Sequence, residues 1–177
     1  MKSMLEPLYI PNFYDNNTKK LLNNWTKVNS INENYFEESG NNPFSTSYTT
    51  RFKKNVVFPD VAYNLQQKII DYFKWSDYKL RYGHGIINTI CYPRCEVFEH
   101  IDGKIIEGYT TYHCNIVTCA PESGGNTIIE GKVYKIAEND LLCYAVSRLK
   151  HSVNLITGSR LRIVWIFGFH LPDNLFE

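Results

Sequence analysis

Two histidines and an aspartate in this chain have the types and spacing for metal chemistry. His100 and Asp102 stand two residues apart in His100-Ile101-Asp102, and His151 follows in a later segment. On an extended strand, residues two apart point to the same face, so the imidazole and the carboxylate can reach one ion together. A histidine from a neighbouring strand completes a facial set of two nitrogens and one carboxylate oxygen. Such a set leaves open positions on one side of a non-haem Fe(II) ion, where oxygen chemistry takes place. A His-x-Asp taken alone is a common surface pair, and its meaning depends on what accompanies it.

Arginines form the second constellation. Arg160 and Arg162 lie in Ser159-Arg-Leu-Arg-Ile-Val-Trp-Ile-Phe-Gly-Phe, which is otherwise an apolar strand. A guanidinium in such a strand is costly unless it meets an anion, and its planar fork suits a carboxylate. A structural salt bridge is the bland alternative, and a bound dicarboxylate is the chemical one. With residues two apart, both arginines are expected on one face.

Elements must bring these residues together. Leu8–Phe13 reads as a short leading strand. Asp15 or Asn16 caps a helix to about Lys27, with Leu21, Leu22 and Trp25 at helical spacing. Residues 29–47 are polar and read as a long mobile loop of the kind that forms lids. Ser45–Val57 has strand character, and Pro59-Asp60 opens a helix with Val61, Leu65, Ile69, Ile70 and Phe73 as its apolar stripe. From Leu80 the pattern turns to β. Candidate strands are Ile86–Tyr92, Cys95–His100, Tyr112–Cys119, Asn126–Ile129, Lys132–Ile136, Asp140–Tyr144, Val153–Leu155 and Arg160–Phe169, separated by Gly, Pro and Asn turns. Many short strands after two helices indicate an α+β chain, mainly β, built as a sandwich or barrel. A single domain over 1–177 is expected, with helices and supporting strands in 1–79 and the β core in 80–171.

Composition narrows the function classes. The 177 residues suffice for a sizeable core, and 44% hydrophobic residues argue against wholesale disorder. A net charge of +1 gives no general attraction to nucleic acid or acidic membranes. No apolar run approaches a membrane span, and Lys2, Glu6 and Pro7 interrupt any signal-peptide core, so a cytoplasmic location is expected. The five cysteines are read as reduced thiols, because the spacing of Cys91, Cys95, Cys114 and Cys119 is loose for a structural zinc site.

Six ordered landmarks then carry a family resemblance: Cys91-Tyr92-Pro93, His100-Ile-Asp102-Gly103, Ser123-Gly124-Gly125-Asn-Thr127, Glu138-Asn-Asp140-Leu-Leu-Cys-Tyr144, His151-Ser-Val153, and Gly158-Ser-Arg160 leading into Ile163-Val-Trp-Ile-Phe167. Over Cys91–Phe169 the chain resembles the 2-oxoglutarate- and Fe(II)-dependent oxygenases, in particular their prolyl hydroxylase-like branch. The resemblance implies a double-stranded β-helix (jelly-roll) core with the N-terminal helices packed outside. It implies His100, Asp102 and His151 as ligands of Fe(II), 2-oxoglutarate and O2 as cosubstrates, and ascorbate as reductant. Arg160 is the residue it implies for the distal carboxylate of 2-oxoglutarate, with Arg162 as the other candidate, and Tyr92 is implied to assist there. The branch commonly has a second tyrosine on the strand before the Gly-Gly turn. Here that stretch is Ile116-Val-Thr118-Cys119, so Thr118 is the residue that could supply the contact.

The implied activity is hydroxylation of an unactivated C–H bond, with a prolyl or other amino-acid side chain in a peptide or protein as substrate. The same chemistry on a nucleobase or small metabolite is the alternative, and a non-catalytic metal-binding jelly-roll module is a third reading. Among the remaining histidines, His84 between glycines suggests a substrate-side loop, His113 reads as a core or pocket residue, and His170 as structural. Arg51, Lys53 and Lys54 form a small basic cluster, most simply a solvated edge, with Arg51 also a candidate for substrate contact.

Overall fold

In the computed structural model, Arg162 opens the long last strand of one sheet, and His100 and His151 lie on short strands of another. The structure describes residues 4–30, 36–38, 49–52, 56–76, 79–80, 85–103 and 106–177. In chain order the elements are β1 (Leu8–Ile10), α1 (Asn16–Asn29), β2 (Phe36–Glu38), β3 (Thr49–Phe52), α2 (Asp60–Phe73), β4 (Lys79–Leu80), β5 (Ile86–Cys91), β6 (Val97–His100), β7 (Tyr109–Cys119), β8 (Thr127–Ile129), β9 (Lys132–Tyr134), β10 (Leu141–Tyr144), β11 (His151–Val153) and β12 (Arg162–Pro172), with a closing 3-10 turn at Asp173–Phe176. Residues expected as part of the 29–47 loop therefore include a strand, β2, paired with β3. His84, Lys53, Lys54 and the Arg51 side chain lie outside the described residues.

The strands form two antiparallel sheets. The larger runs β1-β10-β7-β12-β5-β3-β2, with β4 also on β12, and the smaller runs β6-β11-β8-β9. This is the mainly β, jelly-roll architecture expected, with both helices outside it. Helix α1 begins where Asp15 accepts the Thr18 N–H at 2.7 Å, a side-chain cap that satisfies an otherwise orphaned donor. The α2 entry at Pro59-Asp60 has no side-chain cap, but the aspartate favours the positive helix end.

Alternation along the long strands divides the core in two. One face of β7 and β12 presents Cys114, Ile116, Ile163, Trp165, Phe167 and Phe169, which bury against Leu22 of α1 and Ala62, Leu65 and Ile69 of α2. Trp165 meets Trp25 and Phe58 with ring centroids 5.5 Å apart in each case. The other face looks between the sheets and contributes Val117, Leu142, Tyr144 and Val164, with Ile129 of β8 opposite. Burying a large apolar side chain contributes about 1.5–3 kcal/mol, so both faces hold the long strands firmly.

Several strand boundaries differ from expectation, and two of them matter for the site. The short strand begins at His151 rather than Val153, because His151 pairs across to both His100 and Ile129. Asn154 has already left the ladder to bond Asn126 and Gly125. The last strand begins at Arg162 rather than Arg160, because Glu122 holds Ser159 in the preceding turn through its N–H and its hydroxyl, both at 3.0 Å.

Candidate metal centre and cosubstrate chamber

His100 ends β6 and His151 opens β11, directly opposite each other in register. Their rings stand 4.3 Å apart between centroids. Asp102 follows β6, pinned by its N–H to the Val146 carbonyl at 2.9 Å, and its Oδ1 lies 3.4 Å from His100 Nε2. One ligand atom from each of His100, Asp102 and His151 lies within 4.8 Å of the others. The sequence spacing and the ladder thus converge on one point.

The donors at that point suit a metal ion. Each ring nitrogen Nδ1 is engaged by a backbone carbonyl, Phe98 for His100 at 2.7 Å and Leu149 for His151 at 3.0 Å. With the Nδ1–H donating, each Nε2 keeps its lone pair for a ligand, the tautomer a metal requires. Burial lowers the His151 pKa and outweighs its neighbouring groups, so the ring is held neutral. At His100 burial acts the same way, but Asp102 and the Phe98 carbonyl outweigh it and raise the value. Two imidazoles and a carboxylate meet the preference of non-haem Fe(II).

Cross-strand register places further polar groups on the face shared with the triad. Tyr144 pairs with His113, and Leu142 with Asn115. On β12, Val164 and Ile166 pair with Val117 and Asn115 on one side and with Thr89 and Ile87 on the other, while Arg162 pairs with Cys91. His113, Asn115, Thr89, Tyr144 and Arg162 therefore line the space between the sheets. The Tyr144 ring stands edge-on to His151 with centroids 5.3 Å apart, and Asn115 Nδ2 donates to its hydroxyl at 3.3 Å. Burial pushes the Tyr144 phenol well above its ordinary value, with Asp102 adding to that and Arg162 opposing it.

Arg162 is 4% exposed, and its guanidinium donates to Thr127 Oγ1 at 3.5 Å. Among the described residues no carboxylate pairs with it. A buried cation without an anion is expensive, so the chamber has a place for a negative ligand. Gly125 makes room for it: a Cβ there would lie 3.1 Å from the Arg162 Cδ and 2.8 Å from Pro121.

Arg160 and Tyr92, the pair expected at the cosubstrate, come together elsewhere. The Arg160 side chain is 52% exposed and donates to Glu138 at 2.7 Å. With Tyr92 it lines a cleft of about 450 Å³ between α1 and the helix-facing side of the large sheet, whose other walls include Asn23, Ile90 and Ile163. The expectation that Arg160 shares a face with Arg162 is thus corrected. Arg160 precedes β12, and strand alternation does not reach it. Thr118 sits where β7 shifts register against β12, its carbonyl taken by Asn23, and no hydrogen bond ties its hydroxyl to the chamber. Asn115, with His113, is a polar β7 residue on the triad's face. Its signal in the sequence was its two-residue spacing from His113, but identifying the face needs the β10 register.

The four cysteines do not form a cluster. Cys91 packs with Cys95 and Ile156, whereas Cys114 belongs with Cys143 in the helix-facing core. All five are free thiols.

No model of a known family and no curated protein matches the sequence. Solved structures do. The viral collagen prolyl hydroxylase of Paramecium bursaria Chlorella virus 1, in complex with 2-oxoglutarate, superposes with a TM-score of 0.69 at 13% identity, over 93% of this chain and 96% of that one. HygX from Streptomyces hygroscopicus, with nickel, 2-oxoglutarate and hygromycin B bound, gives 0.70 at 10% identity, over 95% and 84%. A Trichoplax adhaerens prolyl hydroxylase in complex with a hypoxia inducible factor peptide fragment gives 0.67 at 13% identity, over 97% and 86%. The fold is that of the 2-oxoglutarate- and Fe(II)-dependent oxygenases, prolyl hydroxylases among them.

Proposed function

We propose that the protein is a 2-oxoglutarate-dependent dioxygenase that hydroxylates an unactivated C–H bond. The observation that carries this reading is the buried Arg162, without a carboxylate partner among the described residues, in the same chamber as a His-Asp-His triad. In this reading His100, Asp102 and His151 hold Fe(II), and Arg162 rather than Arg160 takes the far carboxylate of 2-oxoglutarate. The bound metal supplies oxygen activation. The chain's own residues orient and exclude: the Phe98 and Leu149 carbonyls fix the imidazoles, and Val117, Leu142 and Val164 keep water from the chamber.

The substrate proposed is a peptidyl side chain, proline first. Phe98 and Ile101, 49% and 46% exposed, flank the triad and offer an apolar rim to such a chain. Prolyl hydroxylases and a peptide complex stand among its structural neighbours. A small molecule is the second reading, because HygX binds hygromycin B on the same fold. No described helix is long and apolar enough to cross a membrane, and a cytoplasmic site of action is proposed on the sequence alone.

The test is succinate release by purified protein with Fe(II), ascorbate and 2-oxoglutarate, against proline peptides, free amino acids, nucleic acids and aminoglycosides. Mass spectrometry should find a peptide product one oxygen heavier. Tight zinc binding with no 2-oxoglutarate-dependent product from any of these would refute the oxygenase reading.

A further inference from the structure

Thr89 Oγ1 and Asn115 Oδ1 face the chamber and are buried without a hydrogen-bond partner. Their residues are 6% and 5% exposed, and they flank β12 on opposite sides, Thr89 across from Val164 and Asn115 across from Ile166. Polar atoms orphaned at this depth have given up their bonds to water, so they mark a place where a ligand or water completes the bonding.

The ligand proposed for this chamber carries only acceptors at neutral pH, since 2-oxoglutarate is then a dianion with no O–H or N–H. Thr89 can meet it directly, because a hydroxyl also donates. Asn115 can do so after one small motion. As it stands, Nδ2 donates to the Tyr144 hydroxyl and Oδ1 is orphaned. A half-turn of the amide lets the Tyr144 O–H donate to Oδ1 and frees both N–H groups of Nδ2 for an anion. Tyr144 is itself fixed by its contact with His151. The amide would thus be held in its donating orientation by a phenol that touches a candidate metal ligand.

We infer that Asn115, oriented by Tyr144, and Thr89 are positioning residues for 2-oxoglutarate, completing with Arg162 and Thr127 a cradle of donors. This rests on the cosubstrate reading above and assigns roles to residues that reading does not use.

The test is calorimetric titration of Zn(II)-loaded protein with 2-oxoglutarate, without substrate or turnover. Asn115→Asp keeps the shape and replaces the donor with a repelling carboxylate; binding should weaken more than about tenfold. Thr89→Val, also isosteric, should weaken it about three- to tenfold. Zn(II) affinity and Tm should stay near wild type in Thr89→Val, which separates cradle from scaffold. A measurement on the wild type needs no variant to fold. The Asn115 side-chain amide resonances should shift when 2-oxoglutarate is added to the Zn(II) protein. If wild type binds 2-oxoglutarate while both variants bind it equally well and the amide resonances stay still, the inference is overturned and the cosubstrate reading survives. If wild type takes up no 2-oxoglutarate, both fall.

Discussion

Arg160 and Arg162 are two residues apart, yet they occupy different worlds. Arg160 has a carboxylate and water, and Arg162 has a hydroxyl and a buried chamber. Their truncations should therefore separate cleanly. Arg162→Ala should raise the KM for 2-oxoglutarate about 100-fold or more, in line with the 2–5 kcal/mol lost when one partner of a buried ion pair is removed. Arg160→Ala should leave that KM within about twofold, because exposed pairs contribute little. Steady-state kinetics with 2-oxoglutarate as the varied cosubstrate would decide, and a larger effect at Arg160 would restore the assignment implied by the motif. His151→Ala should abolish turnover and stoichiometric metal binding, read by metal analysis after desalting. The His100-Asp102 pair was legible in the sequence because its two-residue spacing survives at the strand end, and His151 was legible through the family resemblance. The arginine was not, because the choice depends on which residue first enters the ladder.

Among the elements, the Ser123–Gly125 turn illustrates how backbone freedom serves the chamber. Gly124 has φ +72°, and a Cβ there would lie 1.8 Å from the Leu155 carbonyl oxygen. Gly124→Ala should destabilise the fold by about 2 kcal/mol or more, seen as a lowered urea midpoint with unchanged slope. The glycine pair was legible as a turn. That its second member clears space for Arg162 was not, since the clash involves a residue 37 positions away. Helix boundaries came out nearly as the caps foretold, with α1 starting behind Asp15 and α2 behind Pro59. The β11 and β12 boundaries moved because Glu122 and Asn126 intervene from distant turns.

At the scale of the whole molecule, a ligand that binds only the folded chain must stabilise it. Metal or 2-oxoglutarate at about 100 times Kd adds about 2.7 kcal/mol, or about 5–10 °C in Tm for a chain of this size. Calorimetry should show this rise with Ni(II) plus 2-oxoglutarate and its reversal by a chelator; no shift would argue against a preformed site. Glu138 ties three parts of the molecule together, accepting from Lys19 of α1, the Ala120 N–H and Arg160. Partial burial pushes its carboxyl up, but these donors together pull it below the usual range. A depressed carboxyl stabilises the fold above its unfolded pKa of about 4.3, and that contribution is lost as pH falls through the lower folded value. Glu138→Gln should therefore lower the neutral plateau of a Tm-against-pH curve and flatten its acid limb, so that the variant and wild-type curves converge below the depressed folded value.

Local chemistry in the sequence determined the mainly β character, both helices, the glycine turn and the His100-x-Asp102 pair, because periodicity, caps and short spacings are properties of neighbouring residues; His151 stands opposite His100 through the β6–β11 register. Only the tertiary structure decided which tyrosine, arginine and amide face the candidate metal. Tyr144, Arg162 and Asn115 share that face through the pairing of β10, β7 and β12, where a shift of one residue in register turns every side chain to the opposite side.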